Sequence, residues 1–250
     1  MASSTIARAS TLMAVGTTAS RVLGFVKAMV LATAIGVTAS VGADSFAVGN
    51  MLPNSVYMVL IGGVLSAVLV PQIVQAMAGH DGGSAYVNKL VTIAMVFLLA
   101  ITALAMALAP FLVRLYAMAW SPEQLALAVG FAYWCLPQIF FYGLFNILGE
   151  VLNAKKVFGP SSWAPVLNNI VAITGLVIYI VIFGADPDGN RGLDDWHTAQ
   201  IGLLAGSATL GVIAQSIILS LAWRKAGIRY RPDFVWRGVG FGTLGKIAGW

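Results

Sequence analysis

The chain has 250 residues, of which 59% are hydrophobic and only 9% charged, and its mean hydropathy is +0.89. Soluble domains carry about 25% charged residues, so a soluble domain is excluded and most of the chain belongs in lipid. The net charge of +5 would suit a nucleic-acid binder, but in a membrane chain basic residues first report which loops face the cytoplasm.

A helix crosses the hydrocarbon core in roughly 20 residues, and six segments meet that length. The first, over 11–36, is apolar but contains Arg21 and Lys27. It is too long for a cleaved signal peptide and carries two cations in its middle, so it reads as a span. The second, over 45–77, is interrupted by Pro53, Gly62, Gly63 and Pro71. The third, over 90–112, is the cleanest apolar run. The fourth covers 123–152, with Pro137 and Gln138 predicting a kink; the fifth covers 163–183 and the sixth 198–223. A seventh begins near Val239 and the chain ends at Trp250, which reads as a fragment of a longer protein. The expected fold is all-α: a polytopic membrane helix bundle. Residues 1–225 form a six-helix lobe, and 226–250 form a basic interfacial segment leading into the seventh span.

Lysine and arginine in the connections set the orientation. Arg8, Lys89, Lys155, Lys156 and the group Arg224, Lys225, Arg229, Arg231 and Arg237 all fall on one side. The other side has Arg114 and Arg191, in company with the acidic loop GADPDGNRGLDDWH. This places the N-terminus in the cytoplasm and explains the basic excess without nucleic acid. Cys135 stands alone in an apolar run, and His80 and His197 lie in polar connections. That pattern leaves no disulfide framework and argues against a metal centre or a catalytic cysteine–histidine pair. AIGVTAS and GHDGGS lack the Gly-Lys-Ser/Thr ending of a phosphate loop. With no nucleophile, base or metal constellation either, an enzyme is not expected.

Arg21 and Lys27 are the residues that need a reason. A cation at the centre of a bilayer costs about 2.5–3.5 kcal/mol on insertion scales. One explanation is internal pairing, with Asp44 at the start of the second span or Glu150 near the end of the fourth. The other is an anion-facing cavity. The two cations lie about 9 Å apart along the axis and point about 120° apart, so lining one cavity together requires a bend, for which Gly24 is placed. Pro53, with Asn50, Asn54, Ser55 and Tyr57, makes the second span polar enough to line such a cavity. Asn168 and Asn169 read as groups bonding between helices. The segment WRKAGIRYRPDFVWRG alternates basic and aromatic residues, which fits an interfacial helix or a simple stop-transfer cluster.

SRVLGF at 20–25, Asp44-Ser45-Phe46, Leu52-Pro53-Asn54, Val70-Pro71, GEVLNA at 149–154 and WAPVLNNI at 163–170 together resemble the MurJ (MviN) lipid II flippases, in an actinobacterial form. The resemblance implies a member of the multidrug/oligosaccharidyl-lipid/polysaccharide exporter superfamily: two six-helix lobes around a V-shaped cavity, in the bacterial plasma membrane. The implied activity is movement of lipid II, the undecaprenyl-diphosphate-linked peptidoglycan precursor, from the inner to the outer leaflet by alternating access. Arg21 and Lys27 match cavity cations that receive the diphosphate. Asp44 matches a functional acid. On physical grounds Asp44 is expected to compete for the cations, and Gly24 and Pro53 to serve as points where helices bend. Lipid II, membrane lipids, a C-terminal lobe and cell-wall synthesis proteins are the implied partners, with no cofactor beyond a membrane potential or a counter-ion. Tyr57 and Met58 stand where Gram-negative relatives carry two arginines, and Gly62 where they carry a glutamate. Two readings stay open beside this one: an exporter of another polyprenyl-linked saccharide, and a membrane scaffold for wall synthesis.

Overall fold

A computed structural model describes residues 2–37, 40–60, 84–228 and 230–234. Among these the chain is helical, with no strand. In chain order the helices are α1 (Ala2–Ile35), α2 (Val41–Leu60), α3 (Ser84–Ala107), α4 (Ala109–Tyr116), α5 (Pro122–Cys135), α6 (Gln138–Ala154), α7 (Gly159–Phe183) and α8 (Thr198–Lys225). Among the described residues five stretches are long and apolar enough to cross a membrane: Ser10–Ile35, Tyr86–Ala107, Pro122–Ala154, Gly159–Phe183 and Thr198–Lys225. These correspond to the first, third, fourth, fifth and sixth expected spans. The second is described only as far as Leu60. Gly62, Gly63, Pro71 and the stretch from Val239 lie outside the described residues.

Proline shapes two of the spans. The third is longer than expected at its start and breaks at Leu108, with Pro110 in the first turn of α4. A proline offers no N–H and suits a helix start. The fourth breaks at Leu136–Pro137, the expected kink, between α5 and α6. α2, by contrast, continues through Pro53 as one helix. The residue one turn earlier, where a proline ring presses on the backbone, is Gly49, and a Cβ there would come within 2.8 Å of Phe131. α2 thus stays intact and close to α5.

The kinked fourth span is held in register by α8. Thr209 Oγ1 donates to the carbonyl of Trp134 (2.7 Å), Ser216 Oγ to Phe141 (3.0 Å) and Trp223 Nε1 to Leu148 (2.9 Å). Each pair is 75 residues apart in sequence. A constant offset means the two helices run parallel, and the rungs recur every seven residues, the period of two helices winding left-handed. In lipid, where no water pairs a carbonyl freed at a break, a neighbour's hydroxyl supplies the donor.

α7 sits between α1 and α8 and packs against both. Asn168 Nδ2 donates to Gln215 Oε1 (3.1 Å) and Asn169 Nδ2 to the Ser20 carbonyl (2.9 Å), the interhelical roles expected of that pair. Small residues let the backbones close in, as membrane helices require: a Cβ at Gly175 would meet Ser207 at 2.1 Å. Among the described residues, α1 packs chiefly against α7, with its last turn also in the core at the capped end. Its opposite face, with Val22, Phe25 and Met29, is exposed.

At one end of the bundle the connections form a built cap. Ser40 Oγ accepts from the Ala43 N–H and donates to the Ile35 carbonyl, joining the end of α1 to the start of α2. Asp186 accepts from the N–H groups of Asn190 and Arg191, folding the acidic loop back. Arg191 then reaches the carbonyl ends of both α1 and α7. Trp196 is buried edge-on to Phe131, which is edge-on to Phe46. The Trp196 ring also fills the space over Gly42, where a Cβ would lie 2.0 Å from it. Gly42→Ala is therefore expected to cost about 1–3 kcal/mol by overpacking, read as a lower midpoint in thermal unfolding in detergent, whereas Gly130→Ala, with room for the methyl, should hold or raise the midpoint.

The opposite end gathers the start of α3, the end of α6, the start of α7 and the end of α8. Lys89, Lys155, Lys156, Arg224, Lys225 and Arg231 lie there, whereas Asp186, Asp188, Asp194 and Asp195 lie at the capped end. The bundle is thus strongly polar in charge along its axis.

Candidate anion-binding cleft

Five spans converge on a cleft of about 90 Å³ inside the bundle. Lys27 of α1 enters it half-buried, beside Asn50 of α2, Gln138 and Tyr142 of α6, Asn168 of α7 and Ser207 of α8. Apolar side chains such as Phe46, Leu176 and Leu204 close the rest. The polar groups are ordered by one another. Gln138 Nε2 donates to Thr209 Oγ1 (2.9 Å) and to Asn50 Oδ1 (3.4 Å), while Tyr142 donates to Gln138 Oε1 (3.0 Å). Gln138 is the first residue after the Pro137 break. The kink therefore aims an amide into the bundle and ties it to α2 and α8 at once.

Among the described residues no acid lines this cleft. Among the described residues Lys27 makes no ion pair, and neither does Arg21. Asp44 lies exposed in the first turn of α2, and Glu150 lies near Tyr57 and Asn146. Neither acid supplies the internal pairing weighed for the two cations. An ammonium held among amides and hydroxyls, without a carboxylate, has open capacity for an anion.

Arg21 faces elsewhere. It is exposed, in a shallow groove of about 330 Å³ shared with Thr17, Ser20, Asn153, Ser161 and Ser162. α1 runs unbroken through Gly24, so the two cations keep the angular separation of a straight helix and do not share a cavity in this form. A Cβ at Gly24 would meet only Asn169 Nδ2, at 3.9 Å. Packing thus does not demand glycine there.

Of the second-span residues expected to line a cavity, Asn50 does. Tyr57 packs against Tyr142 with the rings tilted by 42° at a centroid distance of 5.6 Å, and it is not among the cleft's lining residues. Ser55 bonds back to the Met51 carbonyl and Asn54 is exposed, and neither is part of the cleft. Pro53 is buried within α2. Gln138, Tyr142 and Ser207 carry the polar lining that sequence reasoning missed as a site. The available signal was a glutamine directly after a mid-span proline. Among the described residues no cluster of three or more His, Cys, Asp or Glu is placed to hold a metal.

Residues 31–250 match the family model described as Lipid II flippase MurJ. The chain belongs to the MurJ family. The matched region includes Asp44 and begins after Arg21 and Lys27, so those two rest on the SRVLGF motif and on the geometry above. The probable lipid II flippase MurJ of Haemophilus influenzae is 27% identical over 242 residues, covering 91% of this chain and 44% of that protein. That of Rhizobium tropici is 28% identical over 202 residues, covering 79% and 37%. This chain therefore spans less than half the length of these MurJ relatives. A solved lipid II flippase MurJ in an inward closed conformation shares the fold, with a TM-score of 0.67 at 20% identity, over 95% of this chain and 46% of that one.

Proposed function

We propose that this chain is the N-terminal lobe of a flippase that moves lipid II across the bacterial plasma membrane, with the N-terminus in the cytoplasm. The observation that carries the reading is Lys27, without an ion pair among the described residues, beside Asn50, Gln138 and Tyr142 inside a membrane bundle of this family. A diphosphate cannot cross bare hydrocarbon, and the cations of α1 offer it a path. Arg21, in its groove beside the basic end of the bundle, receives the headgroup first. Lys27, further along the same helix, receives it next, while the polyprenyl tail stays in lipid.

The cleft beside Lys27 is smaller than the roughly 300–1,000 Å³ of ordinary ligand sites, so this lobe alone can enclose an ionic group but not a sugar headgroup. The uncovered face of α1 borders the larger space, with a second lobe beyond it. Asp44, exposed near the capped end, competes for the cations as the lobes rock and so promotes release. Membrane potential or a counter-ion drives the return, and cell-wall synthesis proteins stand as partners on the outer side.

The test uses cells depleted of their own flippase and the open reading frame containing this chain. Surface-exposed lipid II is followed at matched membrane levels of each variant. Wild type should restore it; Arg21→Ala should lower the rate by at least roughly tenfold, the loss of one charge-assisted contact. Asp44→Asn should insert normally and transport slowly. Rescue by wild type and Arg21→Ala alike would leave Arg21 a structural residue, and failure of a well-inserted wild type would point to another cargo or to a scaffold.

A further inference from the structure

A second cavity, of about 640 Å³, lies at the basic end of the bundle, away from the Lys27 cleft. It opens where the chain leaves α8. Gly227 turns with φ +75°, and the following segment crosses to α3. There the Tyr230 hydroxyl and Thr92 Oγ1 lie 2.8 Å apart and the Asp233 N–H donates to the same Thr92 oxygen (3.0 Å). α6 packs against both α3 and α8. The returning segment thus closes a chamber above α6. Among the described residues its walls are mainly apolar, with Val91, Met95, Leu144, Trp223 and Ile228, beside Ser220 and Tyr230, and the charged lining residue is Arg224.

The volume falls in the range of sites that hold small organic ligands. Its depth identifies the class of ligand. α8 has 28 residues, about 42 Å at 1.5 Å per residue, longer than a hydrocarbon core of about 30 Å. Arg224, next to the last residue of that helix, therefore lies at the level of lipid headgroups, and the apolar walls lie at the level of acyl chains. The ordinary role of basic residues at a helix C-terminus is to complement its dipole, and exposed Lys225 serves that role. Arg224 differs in facing a chamber.

We propose that this chamber is a binding site for an anionic glycerophospholipid, with one acyl chain between α3, α6 and α8 and the phosphate on the Arg224 guanidinium, which can grip two phosphate oxygens at once. This site does not depend on the flippase reading.

The chain is purified in detergent and titrated with phosphatidylglycerol or with phosphatidylcholine of the same acyl chains, and bound lipid is counted by native mass spectrometry. The first phosphatidylglycerol should bind at least roughly tenfold more tightly than the first phosphatidylcholine, the worth of one charge-assisted contact. Arg224→Gln should bring the two lipids to parity, and Lys225→Gln should leave the preference unchanged. Leu144→Trp, which fills the chamber, should weaken both lipids. No preference in the wild type would overturn the proposal. So would an equal loss in Arg224→Gln and Lys225→Gln, the mark of diffuse surface charge. Arg224→Gln alters only an exposed head group, so its result stands even where Leu144→Trp does not fold.

Discussion

Replacing Arg191 by alanine is expected to destabilise the bundle by about 3 kcal/mol. The guanidinium makes four hydrogen bonds. Nη1 donates to the Ala34 carbonyl (3.2 Å) and the Tyr179 hydroxyl (3.1 Å), and Nη2 to the carbonyls of Phe183 and Gly184, each at 2.7 Å. It also lies over the Tyr179 ring, with Cζ 5.5 Å from the centroid. The three carbonyls belong to the last turns of α1 and α7, where helices leave such groups unpaired and carry partial negative charge. A hydrogen bond to a charged group is worth about 1.5–3 kcal/mol. Arg191 is half-buried, so water recovers part of the loss, which keeps the total well below the sum of four bonds. For a chain of this length the midpoint of thermal unfolding in detergent should fall by roughly 6–12 °C. Arg191→Lys should recover little, because one ammonium lacks the fork that spans two helix ends. An Arg191→Ala protein melting within about 2 °C of wild type would mean that the two helix ends hold together without the clamp.

Arg191 also marks where sequence reasoning stopped. In the sequence it is one of two cations on the acid-rich side and enters only the topology count. Its work depends on Asp186 folding the loop back so that a side chain at position 191 meets the carbonyl of Ala34, 157 residues earlier. No local pattern encodes such a contact. The spans, in contrast, follow from hydropathy alone, and the break at Pro137 follows from the missing N–H. The break at Leu108 follows from the same chemistry at Pro110, but the surrounding apolar run masked it.

The cleft was half legible. Lys27 announced itself because a cation inside an apolar helix needs a reason, and Asn50 because it lies in a polar stretch of the second span. Gln138, Tyr142, Asn168 and Ser207 come from three other helices; Gln138 and Asn168 read on their own as ordinary interhelical bonding groups, Tyr142 as a packed or lipid-facing aromatic, and Ser207 carries no local signal. Only the heptad ladder from α8 to the fourth span fixes which of their faces meet. That ladder also divides the lobe mechanically. α5, α6, α7 and α8 are tied by carbonyl and amide bonds, whereas α1 is held by α7 along one side, with Asn169 bonded to Ser20.

Lys27→Gln tests that arrangement most directly, because stability and transport should move in opposite directions. Removing an unpaired cation from within a membrane bundle removes a cost of up to about 2.5–3.5 kcal/mol, so the variant should melt at or above the wild-type temperature. Glutamine keeps a polar tip in the cleft but no charge for a diphosphate. If Lys27 receives the diphosphate as proposed, losing one charge-assisted contact of about 1.5–3 kcal/mol should lower the rate of lipid II appearance at the surface by roughly 10- to 150-fold, in the depletion assay at matched membrane levels. Lys27→Arg should retain most of the rate. Gly24→Ala separates charge from motion. A methyl fits beside Asn169, and helix propensity favours alanine by about 1 kcal/mol, so this variant too should hold or gain stability. A transport loss in Gly24→Ala with Lys27 intact would then report a bend of α1 that brings Arg21 and Lys27 toward one cavity, whereas wild-type transport would mean that the two cations act in turn from a straight helix. If Lys27→Gln lost stability and transport together, the ammonium would be a packing element of the cleft and the diphosphate would have to be received elsewhere.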